Sequence, residues 1–297
     1  MDDSLTLLID APSLFYRALF STPEDISTPE GKPINAAYGF FRMIARLIGD
    51  QDPDFIACAA DENWRPEWRV KLIESYKAER AEPGSAQEKA EERLASQVPV
   101  IYDLLERCGI RVVGHDDCEA EDIIGTLSAR APGRVAIFSG DRDLWQLVED
   151  PQVFVIYPIR GVSVVDVVDE AYIESRFGIP GRAYKDYAVL RGDASDGLPG
   201  VRGIGQKIAA SLVARHGSLD AIVEAAERGD TGQSLGKVRR ELDYVKRADQ
   251  VVTIPRDLPL PDLDLTRPRR VDDAVIEEAG RWGLASPIRS LVASLSS

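Results

Sequence analysis

The sequence is short of the residues that much metal and nucleophile chemistry relies on. It has two histidines, His115 and His216, in 297 residues, and no Ser-His-Asp or histidine-ligand pattern forms around either. Its three cysteines, Cys58, Cys108 and Cys118, show no C-x-x-C spacing, which excludes a zinc site and a disulfide framework and leaves three reduced, small apolar side chains. No apolar run approaches the ~20 residues that a membrane span requires. The start, Met1-Asp2-Asp3-Ser4, is acidic rather than basic, so the expectation is a cytoplasmic protein. Internal repeats and low-complexity tails are absent. Positive charge is also in deficit, with a formal net charge of −14. A protein that coats nucleic acid by bulk electrostatics needs the opposite balance.

What remains is an ordinary globular composition, 44% hydrophobic and 29% charged, long enough for one large or two modest domains. Leu5 to Ile9 is a continuous apolar run of buried-strand length that ends at Asp10. The same grammar recurs at Phe55 to Ala60, ending at Asp61, and at Arg134 to Phe138, followed by Ser139-Gly140-Asp141. Helical patterns lie between, at Asn35 to Ile48, at Gln87 to Cys108 with an interruption at Pro99, and at Glu119 to Arg130. Strands alternating with amphipathic helices predict βαβ units and a parallel sheet, an α/β fold whose sites form beyond the carboxyl ends of the strands. After Asp150 two short strands, Val153 to Tyr157 and Val162 to Val165, flank Arg160-Gly161. From Glu170 the pattern is helical, with a domain boundary near Arg182, an extended stretch from Pro255 to Pro268 and a last helix from Asp272 to Trp282.

Three strands would thus each deliver an aspartate to one edge. Further acids gather at Glu119-Ala-Glu121-Asp122, at Asp141-Arg-Asp143, and at Asp193 and Asp196. Singly, such residues are solvated loop residues or partners of helix dipoles. Together they are the oxygen-only donor set that hard divalent cations take, and two-metal phosphodiester cleavage needs many carboxylates. On helical spacing Glu119 and Asp122 share a face, with Glu121 pointing elsewhere unless the first turn is irregular.

The strings LLIDA with Tyr16-Arg17 soon after, AAD at 59–61, WRVKLIESYKAER at 68–80, EAEDIIGTL at 119–127, FSGDRDLWQLV at 138–148 and RGDASDGLPGVRGIGQKIA at 191–209 occur in this order. In them the chain resembles the bacterial 5′ nuclease family: stand-alone flap endonucleases and 5′–3′ exonucleases, and the 5′ nuclease domain of bacterial DNA polymerase I. The resemblance implies a PIN-like core over residues 1–182 with a helical arch near 62–95. A helix–three-turn–helix DNA-binding region and a C-terminal helical segment would follow over 183–297. It implies two or more Mg2+ or Mn2+ ions on Asp10, Asp61, Glu119, Glu121, Asp122, Asp141, Asp143, Asp193 and Asp196. Lys77 and Arg80 would contact the scissile phosphate as catalytic residues. Three positions depart from the family pattern: Glu121 where Asp is usual, Gly197 where Asn is common, and Ala11 where Gly is usual.

The resemblance also answers the charge problem. Residues 65 to 80 carry five basic side chains against three acidic ones, interleaved with Trp68 and Tyr76 and preceded by Trp64, and Arg69 and Tyr76 there are candidate DNA contacts. The alternative is an amphipathic helix in which Trp68, Leu72 and Tyr76 simply pack. Glycine turns at Gly200, Gly203 and Gly205, with Arg202, Ile204 and Lys207, would present backbone amides and a helix start to a duplex phosphate. The resemblance adds a K+ ion at this 200–205 hairpin. From Gly200 to Arg247 nine basic residues face six acidic ones, a locally basic lobe in an acidic protein.

The expected activity is hydrolysis near the junction of duplex DNA with a 5′ end or 5′ flap, leaving a 5′-phosphate, by a monomer. With no polymerase region in the chain, its product would pass to a separate DNA polymerase and ligase, in replication primer removal or repair. Two rivals stand beside this reading: a PIN-like ribonuclease, which shares the acidic site but does not need the hairpin, and a structure-specific DNA-binding protein with weak catalysis, suggested by Glu121.

Overall fold

The computed structural model describes residues 3–297; Met1 and Asp2, half of the acidic start noted above, lie outside the described residues. Six strands form one sheet: β1 (Leu5–Asp10), β2 (Phe55–Ala59), β3 (Arg111–Val113), β4 (Arg134–Phe138), β5 (Val153–Arg160) and β6 (Val164–Val168), in the order β3-β2-β1-β4-β5-β6. The first five are parallel and β6 returns antiparallel to β5. The chain builds outward from β1 through β2 to β3, then restarts on the other side at β4. The crevice between β1 and β4 is therefore the topological switch point where ligands of such sheets bind.

Register carries the three strand-end aspartates to that crevice. Ala59 lies beside Asp10 and Phe138 beside Ile9, so Asp61 and the Ser139-Gly140-Asp141 turn leave the sheet at the same level as Asp10. Strand side chains alternate between faces. Leu8, Ala57, Ala59, Val135 and Ile137 enter one core cluster, while Leu7, Ile9, Ile56, Cys58, Ala136 and Phe138 enter the other. Buried on both faces, these strands have the unbroken apolar runs expected of a parallel sheet.

The first cluster continues from the helix Ala120–Arg130 through Trp145, Tyr184 and Tyr187 into the helices Gln206–His216, Leu219–Arg228, Gln233–Arg240 and Leu242–Val252. The second lies under the helices Ala11–Ser21, Asn35–Gln51 and Val98–Arg107. It also receives the end of the chain. Two helices close it, Ala274–Gly280 and Ala285–Ser296, the latter beyond the last helix that the sequence pattern predicts. Leu284, Ile288, Leu291 and Leu295 form a helical stripe, each 0% exposed, among Phe40, Phe41 and Ile44. Burying each contributes about 1.5–3 kcal/mol, which anchors the segment to the first lobe. Residues 183–297 are therefore not one packing unit, because their last two helices complete the core of the other lobe.

The extended stretch is bound rather than free on the surface. Thr266 bridges to Phe55, and the buried Arg267 donates to Asp52 Oδ1 at 2.5 Å, to Ser294 O at 2.6 Å and to Leu295 O at 3.1 Å. All three cysteines are free and buried. Among the described residues no helix is long and apolar enough to cross a membrane.

Candidate active site

Beyond the carboxyl ends of β1, β2 and β4 opens a cavity of about 600 Å³. Eight acidic residues from five separate stretches line it: Asp10, Asp61, Glu119, Glu121, Asp141, Asp143, Asp193 and Asp196. Each stretch holds its acid for a local reason. Asp10 ends β1 and caps the next helix, its Oδ1 accepting from Ser13 N at 3.0 Å while Oδ2 accepts from Ser139 Oγ. Asp61 accepts from Ala120 N at 2.7 Å and so caps the helix Ala120–Arg130 from another strand end. Asp141 accepts from Asp143 N at 2.8 Å, which folds the turn after β4 and aims both acids inward. Asp193 accepts from Ser195 N at 2.8 Å in the loop after the helix Tyr184–Arg191. The bland role of cap and turn former is thus real at these positions and coexists with a place on the cavity wall.

The 119–122 turn departs from the expectation of helical spacing. Glu119 is the N-cap, with extended backbone (φ −91, ψ 160), so i, i+3 geometry does not begin there. Asp122 reaches back to accept from Glu119 N at 3.0 Å and from Arg69 Nη2 at 2.7 Å, and it lies away from the cavity. Glu121 takes the cavity face instead, its Oε1 3.2 Å from Arg69 Nη2. Eight of the nine candidate metal-binding acids are thus brought together and Asp122 is not.

Residues 62–95 fold over one side of the cavity as the helix Glu67–Leu72, a 3-10 turn Glu79–Ala81 and the helix Ala86–Leu94. The segment docks on the Asp193–Gly197 loop: Lys77 N donates to Asp196 O at 2.9 Å and Ser75 Oγ to Gly197 O at 2.7 Å. Gly197 has φ +68, and a Cβ there would stand 1.9 Å from Ser75 O. That close approach accounts for glycine at this departure from the family pattern. Lys77 has a left-handed backbone (φ 49) and turns its ammonium onto Glu119 Oε2, while Arg80 Nη2 donates to Asp196 Oδ1 at 2.5 Å. Both catalytic candidates therefore stand in the cavity wall, each paired with an acid.

Arg69 and Tyr76, candidates for DNA contact, are placed differently. Arg69 is 0% exposed and Tyr76 2%. Tyr76 donates its hydroxyl to Glu119 Oε1 at 2.7 Å, and the Arg69 guanidinium is enclosed behind the same carboxylate. Neither side chain has a face left for a strand: Arg69 is turned inward from the helix Glu67–Leu72, and Tyr76 from the turn that follows it, since the helix stops at Leu72 and does not carry the expected stripe on to Tyr76. Trp64, from the same segment, does reach the cavity.

The electrostatics are those of an acidic site out of water. Burial pushes the Asp10 carboxyl up to about 7, despite the Ser139 and Ser13 hydrogen bonds, and pushes Asp61 and Asp196 up to about 6. Burial also holds Glu121 well above the usual range against the pull of Arg69, and Asp143 likewise, there reinforced by Asp141. At Lys77 burial alone would lower the ammonium, but Glu119, Asp196 and Glu121 outweigh it and the group is held above its usual value. The donor set is carboxylate oxygen throughout, the set for Mg2+, Mn2+ or Ca2+ rather than for zinc. In the described residues no three acidic, His or Cys side chains converge on one ion-sized point as they stand. The protein's own donors occupy several of these oxygens, with Lys77 and Arg69 on Glu119, Arg80 on Asp196 and Ser139 on Asp10. The chemistry of the donors fits divalent ions, and their binding would require those partners to be exchanged.

Several residues of the site were not singled out by sequence reasoning. Arg142 and Arg191 line the cavity, and Arg142 stacks 5.6 Å from the Trp145 ring. Their signal was available, since both are embedded in the acidic motifs, one between Asp141 and Asp143 and one two residues before Asp193. Gln87 was not legible; its amide meets the Tyr16 hydroxyl at 2.5 Å across the cavity mouth.

The glycine hairpin lies in the helical lobe. Gly200 N donates to the Tyr244 hydroxyl at 2.8 Å, and Val201 and Ile204 are buried beneath it. Ile204 is thus a packing residue, whereas Arg202, Gly203, Gly205 and Lys207 are exposed. No side chain caps the helix Gln206–His216 that starts there.

Comparison with known proteins agrees with this architecture. Residues 5–178 match the model of a 5′-3′ exonuclease N-terminal resolvase-like domain, and residues 179–274 that of a 5′-3′ exonuclease C-terminal SAM fold. A 5′-3′ exonuclease of Streptomyces coelicolor is 44% identical over 98% of this chain and 100% of its own length. One of Mycobacterium tuberculosis is 43% identical over 86% and 85%. The fold is that of the bacteriophage T5 flap endonuclease, solved as a pseudo-enzyme–product complex with DNA and metal ions. The TM-score is 0.69 at 14% identity, over 99% of this chain and 100% of that one. With two family models covering it nearly end to end and a relative matched over its whole length, the chain belongs to the 5′-3′ exonuclease family.

Proposed function

We propose that this chain is a divalent-metal-dependent, structure-specific 5′ nuclease that hydrolyses DNA phosphodiesters near the junction of a duplex with a 5′ end or 5′ flap. The observation that carries the reading is the cavity itself: eight carboxylates beside Lys77 and Arg80 at the switch point of a parallel sheet. Asp10, Asp61, Glu119, Glu121, Asp141, Asp143, Asp193 and Asp196 would hold two or more Mg2+ or Mn2+ ions. Such ions, when bound, supply charge neutralisation at the attacking and leaving oxygens of the phosphate.

The remaining work belongs to the chain. Lys77 and Arg80 release Glu119 and Asp196 and turn to the phosphate, placing positive charge where negative charge develops. Exposed Arg202 and Lys207, with the uncapped start of the helix Gln206–His216, hold the duplex backbone away from the cut. A K+ ion would be held by the backbone of the 200–205 hairpin, where the Lys237 ammonium now lies 2.7 Å from the Gly203 carbonyl and would have to give way. Residues 62–95 form the arch beside which the single strand passes. The product suits a separate polymerase and ligase, the protein acting as a monomer in the cytoplasm.

The test is cleavage of a 5′-flap duplex, a blunt duplex and single-stranded RNA by purified protein with Mn2+, with Asp141→Asn and Asp193→Asn as controls for contaminating nuclease. Cutting of the flap at its junction, lost in both variants, is expected. Flap binding without cutting would overturn the enzymatic reading, and preferential cutting of RNA would overturn the DNA reading.

A further inference from the structure

The buried guanidinium of Arg69 is the least explained charge in the molecule. It is 0% exposed, so it can touch neither solvent nor a DNA strand. Every nitrogen is engaged. Nη1 donates to Glu119 Oε1 at 2.6 Å, Nη2 lies 2.7 Å from Asp122 Oδ1 and 3.2 Å from Glu121 Oε1, and Nε donates to Val251 O at 3.2 Å. The ring of Trp68 covers the carbon centre at 4.9 Å.

These contacts join three parts of the fold. Arg69 itself lies on the helix Glu67–Leu72, behind the cavity wall, its three acids form the start of the helix Ala120–Arg130, and Val251 lies in the last turn of the helix Leu242–Val252 of the basic lobe. Glu119 Oε1 is shared between Arg69 and the Tyr76 hydroxyl, so that oxygen is fixed from behind, whereas Oε2 meets the ammonium of Lys77 at the cavity. A planar fork with five donors can hold this many partners in one orientation, and a point-charge ammonium cannot.

We propose that Arg69 is a positioning residue, which sets the Glu119 and Glu121 carboxylates for divalent-ion binding and ties that wall to the DNA-binding lobe through Val251. Glu121 is central to the arrangement. With one methylene more than aspartate, it touches Arg69 and the cavity together, so in this chain the fork holds both cavity acids of the turn. The inference rests on the metal-dependent reading of the site.

The experiment compares wild type, Arg69→Lys and Asp122→Asn. Free Mn2+ is titrated by its EPR signal in the absence of DNA, and single-turnover cleavage of a 5′-flap duplex is measured against substrate concentration. Far-UV circular dichroism checks the fold. Arg69→Lys is expected to weaken Mn2+ binding at least tenfold and to slow cleavage about 100-fold, with half-saturation for DNA within threefold of wild type. Asp122→Asn leaves Arg69 in place with one anchor fewer, and should move the same two readouts by a smaller factor; it carries the test where Arg69→Lys does not fold. Unchanged Mn2+ affinity in the folded variants, or a weaker hold on DNA at unchanged Mn2+ affinity, would overturn the inference. A wild type that neither binds Mn2+ nor cuts would instead overturn the proposed function, and this inference with it.

Discussion

Replacing Asp10 with asparagine should make the metal-free protein more stable at pH 8 and leave it nearly unchanged below pH 4. Burial lifts this carboxyl from an ordinary 3.8 to about 7 in the folded protein. Between those two values the native state holds a proton that the unfolded chain has released. A raised folded value gives stability that is fully present below pH 4 and is lost as pH rises toward and through 7. Three units at about 1.4 kcal/mol each come to about 4 kcal/mol for Asp10 alone. Asparagine imitates the protonated acid at every pH: its oxygen can keep the bond to Ser13 N, 3.0 Å in the wild type, and its amide can donate to Ser139 Oγ. The gap between Asp10→Asn and wild type should therefore open between about pH 4 and pH 7 and stay level above it. At 2–4 °C per kcal/mol for a chain of this order of size, it should reach roughly 8–16 °C in Tm by pH 8. Differential scanning calorimetry in EDTA measures it. Mn2+ should then narrow or invert the gap, since the ion stabilises the wild type by binding its folded state and has one ligand fewer in the variant. A gap that is constant across pH, or a variant less stable than wild type at pH 8 in EDTA, would refute the reasoning that this acid is buried without a compensating cation.

Three further outcomes follow from the same geometry. Gly197→Ala places a Cβ 1.9 Å from the Ser75 carbonyl, so it should push Ser75–Lys77 off the Asp193–Gly197 loop and slow flap cleavage at least tenfold, while duplex binding measured by fluorescence anisotropy holds within threefold. Lys77→Met removes the ammonium that faces Glu119 and that the proposed mechanism turns to the phosphate; single-turnover cleavage should fall 100-fold or more, the scale of losing one oriented electrostatic donor, and equal rates would show that Lys77 serves only the fold. Arg202→Ala and Lys207→Ala should each weaken duplex binding across all sequences and reduce the salt slope by about one, with the rate on bound substrate unchanged; a sequence-dependent loss would count against a backbone contact.

What the sequence made legible follows from which interactions are local. The strand ends could be read because a buried parallel strand is an unbroken apolar run and its terminus is marked by the first acid, as at Asp10, Asp61 and Asp141. Parallel register then aligns those termini with no further information. The short strand Arg111–Val113 was not legible, since three residues carry no period, and neither was the final helix, whose stripe of Leu284, Ile288, Leu291 and Leu295 is plain only once Phe40 and Phe41 are known to face it. At the site the same division holds. Acids stood out by type, yet Asp122 and Glu121 exchanged the roles that helical spacing assigns, because Glu119 is a cap outside the helix and Asp122 folds back to serve it. Arg69 is the sharpest case. A basic residue beside aromatics in a segment near DNA reads as a phosphate contact, and only the tertiary fold reveals three acids and a carbonyl 182 residues away closing around it. The misreading has a physical cause: a charge is assigned to solvent by default because burying it alone is costly, and the compensation that makes burial possible is assembled from residues distant in sequence. A buried guanidinium with all its partners in place is also fixed in direction, so the feature that hid Arg69 from the sequence is the one that lets it orient Glu119 across the cavity wall.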